Sequence, residues 1–162
     1  MGVPVGTTTF RTIELSLKDI ESVYPTDWAA LLTPQWLELR NTAEVYGLYA
    51  DENLVCIGII FTDKLPTPSE LELTHSQHFT AYDYLGYLYT LPAYRNQGWG
   101  SLWIKRLIEL DTHPKLWLTI ESIDLGRFYS KNGFIFLNPE AHKAEEYLMY
   151  REEDLQSDYK PL

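Results

Sequence analysis

One stretch constrains this chain more than any other: Leu88-Tyr89-Thr90-Leu91-Pro92-Ala93-Tyr94-Arg95-Asn96-Gln97-Gly98-Trp99-Gly100-Ser101. Tyr82 to Leu91 carries strand formers and Pro92 closes it. From Gly98 to about Asp111, Trp99, Trp103, Leu107 and Leu110 form one helical stripe. A strand therefore runs through a tight two-glycine turn straight into a helix. The first amides of a helix have no internal partners and carry partial positive charge. Glycines let an anion approach those amides, and Arg95 adds a full charge. The turn reads as a phosphate site.

Two familiar phosphate loops do not fit. A Walker A loop needs Gly-Lys-Ser/Thr, which the chain lacks. A dinucleotide fingerprint needs a third glycine where Trp103 stands. What remains is Leu88-x-Thr90-x-Pro92-x-Tyr94-Arg95-x-x-Gly98-x-Gly100. It resembles the acetyl-CoA loop of the GNAT superfamily of N-acetyltransferases, with Thr90 where valine is usual. A second piece, Phe128-Tyr129-Ser130-Lys131-Asn132-Gly133-Phe134, is similar to that family's tyrosine motif and follows in the right order. Ser122 and Leu125 stand where the family often has Asn and Ala.

The resemblance implies an α+β fold, an α/β/α sandwich. Its central sheet is mixed and mostly antiparallel, with helices on both faces. One domain would span residues 1–162. Acetyl-CoA would be the cosubstrate. Its diphosphate would lie on the amides of Gln97, Gly98, Trp99, Gly100 and Ser101, with Arg95 adding charge and Asn96 also in contact with the cofactor, and its thioester arm on the main chain of Leu88, Tyr89 and Thr90. Ser122, Phe128 and Lys131 are further cofactor candidates. The reaction would be direct attack of a neutral amine on the thioester carbonyl. A main-chain N–H of the bulged strand would hold the oxyanion. Tyr129 would protonate the departing thiolate.

The base is left open. Tyr84 and Gly86 occupy the strand positions where many family members carry Glu or His. Asp83, Glu121, His75, His78 and a water chain are the alternatives. With those positions empty, a non-enzymatic acyl-CoA sensor is the second reading, and an interaction domain that binds no coenzyme the third.

The rest of the chain frames these motifs. Strands are expected at Thr7 to Leu15, Ala43 to Ala50, Leu54 to Thr62, Leu116 to Ile120, Phe134 to Leu137 and from Glu145 to Met149. A broken helical region covers Leu17 to about Glu44, with Pro34 opening a new helix after Thr33. A second short helix starts at Ser122 and stops at Asn132-Gly133. Asp63 to Ala81 reads as a long connection. Tyr82 and Tyr84 share one parity and Tyr87 and Tyr89 the other, which places a β-bulge near Leu85-Gly86.

Thirteen basic against 23 acidic side chains make a net charge of −10, which argues against nucleic acid. Residues 1–81 carry 4 basic and 11 acidic side chains, whereas 95–131 carry six and four. The first half would suit a cationic small-molecule or peptide amine, and the second an anion. Cys56 alone excludes an internal disulfide, and reads as a buried thiol. The four histidines show no metal-ligand spacing. No apolar run reaches membrane-span length. Residues 1–6 lack the pattern of a signal peptide, so a cytoplasmic protein is expected. Trp28 and Trp36 are candidates for core or for an amine pocket, and a homodimer is compatible with the fold.

Overall fold

A computed structural model describes residues 6–137 and 146–152. Strands β1 (Thr8–Thr12), β2 (Ala43–Ala50) and β3 (Asn53–Phe61) pair antiparallel in sequence order. The β2–β3 turn is two residues long, and both have positive φ, 49° at Asp51 and 75° at Glu52. Such a turn matches the twist of the flanking strands. Asp51 is anchored by Thr7, whose carbonyl accepts its amide at 2.9 Å. Val55 to Phe61 is buried throughout, as a strand covered on both faces should be.

Helix α1 (Leu17–Val23) opens with a capping box. Ser16 Oγ accepts the Asp19 amide, and the Asp19 carboxylate accepts the Ser16 amide, each at 3.0 Å. Helix α2 (Thr26–Leu39) is continuous and contains Pro34, which corrects the expected helix start at that residue. Pro34 removes one backbone hydrogen bond. Burial of Ala29, Leu32, Trp36 and Leu39 at three- and four-residue spacing offsets that loss.

The stretch expected as a long connection holds α3 (Glu70–His75) and a 3-10 turn, Ser76–Phe79. Ser69 and Glu72 form its capping box, so a helix begins right after Pro66 and Pro68. Strand β4 (Asp83–Thr90), a 3-10 turn at Pro92–Tyr94 and α4 (Trp99–Glu109) follow. Then come β5 (Lys115–Ile120), α5 (Ile123–Lys131), β6 (Ile135–Phe136) and β7 (Tyr147–Glu152). The last two strands differ from the expected ones: β6 is shorter, and β7 starts at Tyr147, Glu145 lying outside the described residues.

The strands form a mixed, mostly antiparallel seven-stranded sheet in the order β1-β2-β3-β4-β5-β7-β6, an α+β fold. The chain divides into two compact units, Met1–Thr67 with Leu85–Arg106, and Pro68–Tyr84 with Leu107–Leu162.

The first unit centres on Trp103, fully buried, whose indole N–H donates to the Tyr46 carbonyl at 2.9 Å. It lies so close to β3 that a Cβ at Gly58 would come within 2.5 Å of its ring. The residue that breaks the dinucleotide pattern is thus the anchor of α4. The second unit packs Phe79 flat on Trp117, ring centroids 4.9 Å apart, with Leu116, Leu118, Leu148 and Met149 buried.

Candidate functional site

In the first unit, the chain leaves β4 and turns at Arg95 to Gly98. Asn96 has φ 62° and Gly98 φ 90°. Only glycine adopts the latter freely, which explains Gly98. The first bond of the helix is from the Leu102 amide to the Gly98 carbonyl, 3.1 Å. Among the described residues, the amides of Gly98, Trp99 and Gly100 donate to no protein group. Gly98 is exposed and Gly100 half-buried, so an anion can reach them. Open amides at a helix start carry the positive end of its dipole.

Arg95 is exposed and tied down at the same turn. Its Nε donates to the Thr90 carbonyl at 3.0 Å, and its guanidinium lies 5.2 Å from the Tyr89 ring centroid. Asn96 is exposed and Gln97 half-buried. The Trp99 side chain is core, 3% exposed, with its N–H on Gln97 Oε1 at 3.2 Å. Trp99 therefore offers an anion its amide and not its ring. Open donors plus a cation at this turn suit a phosphate or diphosphate group.

The β4 segment of this unit holds Leu88, Tyr89 and Thr90, all half-buried. Its irregularity falls at Tyr87, φ 56°, one residue past the pair expected from tyrosine parity. A left-handed residue that is not glycine costs about 1–2 kcal/mol. Tyr24 opposes that cost, since its hydroxyl donates to the Tyr87 carbonyl at 2.8 Å. Trp28 packs against both Tyr87 and Tyr89, centroids 5.8 and 5.5 Å apart, and is half-buried. Trp36 is core: 2% exposed, its N–H on the Leu15 carbonyl at 2.7 Å. Cys56 is buried, its thiol pushed up to about 12 chiefly by burial, so it is no nucleophile.

The second unit holds the other candidates. Tyr129 on α5 is half-buried between Phe128 and Phe134, ring centroids 4.9 and 5.5 Å away. Phe128 is half-buried, and Lys131 is exposed in the last turn of the helix. Ser122 caps α5, its Oγ accepting the Asp124 amide at 3.1 Å. Gly133, φ 92°, follows the end of α5, and a Cβ there would come within 2.7 Å of Arg151 Nε.

Of the proposed bases, Asp83 is engaged: its Oδ2 lies 2.6 Å from Nδ1 of the buried His113. Glu121 is exposed. The His75 and His78 rings lie tilted against each other, 6.0 Å between centroids. Tyr84 is buried, and its hydroxyl donates to Glu72, whose carboxylate also accepts from the Thr119 hydroxyl at 2.5 Å and the Ser69 amide at 2.9 Å. Burial, then Glu72, pushes the Tyr84 phenol well above its usual range. The parallel β4–β5 ladder registers only Asp83 with Leu116 and Tyr84 with Trp117.

Two of these residues, Glu72 and Tyr24, are not among the candidates read from the sequence. Glu72 had a signal, the Ser69-x-x-Glu72 capping pattern. Tyr24 had none beyond standing before Pro25. Among the described residues, no group of three or more His, Cys, Asp or Glu could hold a metal ion. No described helix is long and apolar enough to cross a membrane.

No protein-family model matches the sequence, and no curated protein does. Solved structures do. A GNAT family acetyltransferase from Staphylococcus aureus Mu50 is similar over 91% of this chain and 100% of its own, at 14% identity and TM-score 0.60. A Bacillus subtilis acetyltransferase in complex with CoA is similar over 90% and 99%, at 12% identity and TM-score 0.60. A spermidine N-acetyltransferase chimera, built from the Vibrio cholerae and hSSAT proteins, is similar over 94% and 99%, at 13% identity and TM-score 0.59. The fold of this chain is that of the GNAT family acetyltransferases.

Proposed function

We propose that this protein is an acetyl-CoA-dependent N-acetyltransferase of the GNAT family, a single catalytic domain that works in the cytoplasm. One observation carries the reading: the open amides of Gly98, Trp99 and Gly100 beside Arg95, on the motif that resembles the family's acetyl-CoA loop. These residues, with Asn96, Gln97 and Ser101, hold the diphosphate. Bound acetyl-CoA supplies an activated acyl group on a good leaving thiolate. Main-chain groups of Leu88, Tyr89 and Thr90 pair with the thioester arm. Tyr129 holds the proton that the thiolate takes as it leaves. With Asp83 occupied by His113, Glu121 is the freer carboxylate to accept the amine's proton.

The acceptor is a cationic amine. The acidic first half attracts one, and the half-buried Trp28 offers an aromatic surface that favours a cation. The similar spermidine N-acetyltransferase points the same way. The sensor reading has one observation in its favour: the Tyr84 hydroxyl is spent on Glu72, so this strand position offers no free base.

Thiol release from acetyl-CoA, measured against a panel of spermidine, an aminoglycoside and a lysine peptide, separates the two readings. Turnover with at least one amine supports the enzyme. Tight acetyl-CoA binding without release for any amine supports the sensor. Tyr129→Phe should lower kcat by roughly 100-fold and leave acetyl-CoA affinity within about twofold. Unchanged kcat removes the acid role.

A further inference from the structure

Among the described residues of β4, only Tyr87 has a left-handed backbone. Its carbonyl is held by a phenol from a distant part of the sequence, Tyr24, at 2.8 Å. That phenol has little freedom. Tyr24 caps the end of α1, its own amide donating to the Ile20 carbonyl at 3.1 Å. Pro25 keeps it extended, φ −89° and ψ 156°. Its ring, 4% exposed, is packed among Trp28, Tyr87 and Tyr89, with centroids 5.7 to 5.9 Å away. Burial, then the neighbouring Cys56 and Tyr87, pushes its ionisation well above the usual range, so the O–H remains a donor.

The consequence follows from peptide geometry. The described peptide bonds are trans, so the carbonyl of one residue and the N–H of the next point in opposite directions. Fixing the Tyr87 carbonyl fixes the direction of the Leu88 N–H. Leu88 is the first of the main-chain positions assigned to the thioester arm. We propose that Tyr24 is a positioning residue for acetyl transfer: its hydroxyl holds the Tyr87–Leu88 peptide so that the Leu88 N–H stays aimed at the oxygen on which charge develops. The proposal rests on the acetyltransferase reading and goes beyond it, since Tyr24 belongs to neither motif. Preorganised donors of this kind act in the transition state more than in the ground state.

The test is Tyr24→Phe, which keeps the ring and deletes only the donor. Spermidine is the probe amine, read as kcat. Acetyl-CoA affinity is read by calorimetry, and the Leu88 amide by its resonance in 15N-labelled protein. The expected result is a fall in kcat of about 10- to 100-fold with the acetyl-CoA dissociation constant within about threefold. The acetyl-CoA-induced shift of the Leu88 resonance should shrink or vanish. Trp36→Phe is the control, because it deletes a buried hydrogen bond of the same unit that touches no part of β4. It should lower the melting temperature and leave kcat within about twofold.

Wild-type turnover with an unchanged Tyr24→Phe kcat overturns the proposal alone, as does an equal loss of kcat in both variants. A wild type that binds no acetyl-CoA overturns the acetyltransferase reading, and the proposal with it. A wild type that binds acetyl-CoA but leaves spermidine untouched is decided by the Leu88 resonance: a shift unchanged in Tyr24→Phe overturns the proposal, and a lost shift supports it.

Discussion

In the unit that holds the α4 turn, the amides of Gly98, Trp99 and Gly100 donate to no described protein group. In the unit that holds β5, the buried Glu72 carboxylate accepts from three donors and Asp83 from His113. Both regions are rich in polar groups, yet one leaves them open and the other closes them on each other. Buried polar groups that find no partner are costly, so closed networks serve stability. Donors left open at an exposed helix start serve binding. The difference separates residues that should change ligand affinity from residues that should change only folding.

The strongest way to break this division is to place an anion in the open turn. Gly100→Asp sets a carboxylate in the first turn of α4, where the helix dipole favours it, so the fold should keep its melting temperature within a few degrees. Acetyl-CoA affinity should fall about 100-fold or more by calorimetry. An unchanged affinity would mean that the turn holds no diphosphate.

Next in size is Gly58→Ala, in the same unit but away from the turn. Its Cβ would meet the Trp103 ring at 2.5 Å, so urea unfolding should show a loss of about 1–3 kcal/mol. The same Cβ would meet Leu88 Cδ1 at 3.1 Å, so acetyl-CoA affinity should also fall, by less than in Gly100→Asp. In the closed network, Tyr84→Phe removes one donor from Glu72 and should cost about 1–2 kcal/mol, with acetyl-CoA affinity unchanged. A clear change in affinity there would blur the contrast between the units.

The smallest effect is a pH dependence. Burial holds the Cys56 thiol at about 12 in the folded protein, above its ordinary value near 8.5 in an unfolded chain. Folding thus favours the neutral thiol. This contribution is fully present below about pH 8.5 and is lost as pH rises through about 12. Cys56→Ala should decline less steeply, by about 1 kcal/mol between pH 8.5 and 9.5 in urea titrations.

What the sequence revealed was local in its physics. The α4 turn was legible because helix amides and glycine freedom depend on adjacent residues, Gly98 above all. The break between the strands expected at Ala43 to Ala50 and Leu54 to Thr62 was legible too, since the polar run Asp51, Glu52 and Asn53 favours a turn. The position of the β4 irregularity was off by a residue, since the hydroxyl that stabilises Tyr87 comes from Tyr24, 63 positions earlier. Pro34 suggested a helix start, but core burial of Trp36 and Leu39 carries α2 through it. The two prolines before Ser69 hid α3, and with it the partnership of Glu72 with Tyr84 and Thr119. Such long-range pairings leave no periodic trace.

The central claim is that main-chain nitrogens at the start of α4 grip a diphosphate. Calorimetry with acetyl-CoA and with S-acetylpantetheine, which has the same thioester arm but lacks the diphosphate and the nucleotide it carries, tests it most directly when repeated on Gly100→Asp. The account predicts binding of acetyl-CoA at least about 100-fold tighter than that of S-acetylpantetheine, with the gap closing in Gly100→Asp. Equal affinity for the two thioesters, or no heat with acetyl-CoA, would contradict it.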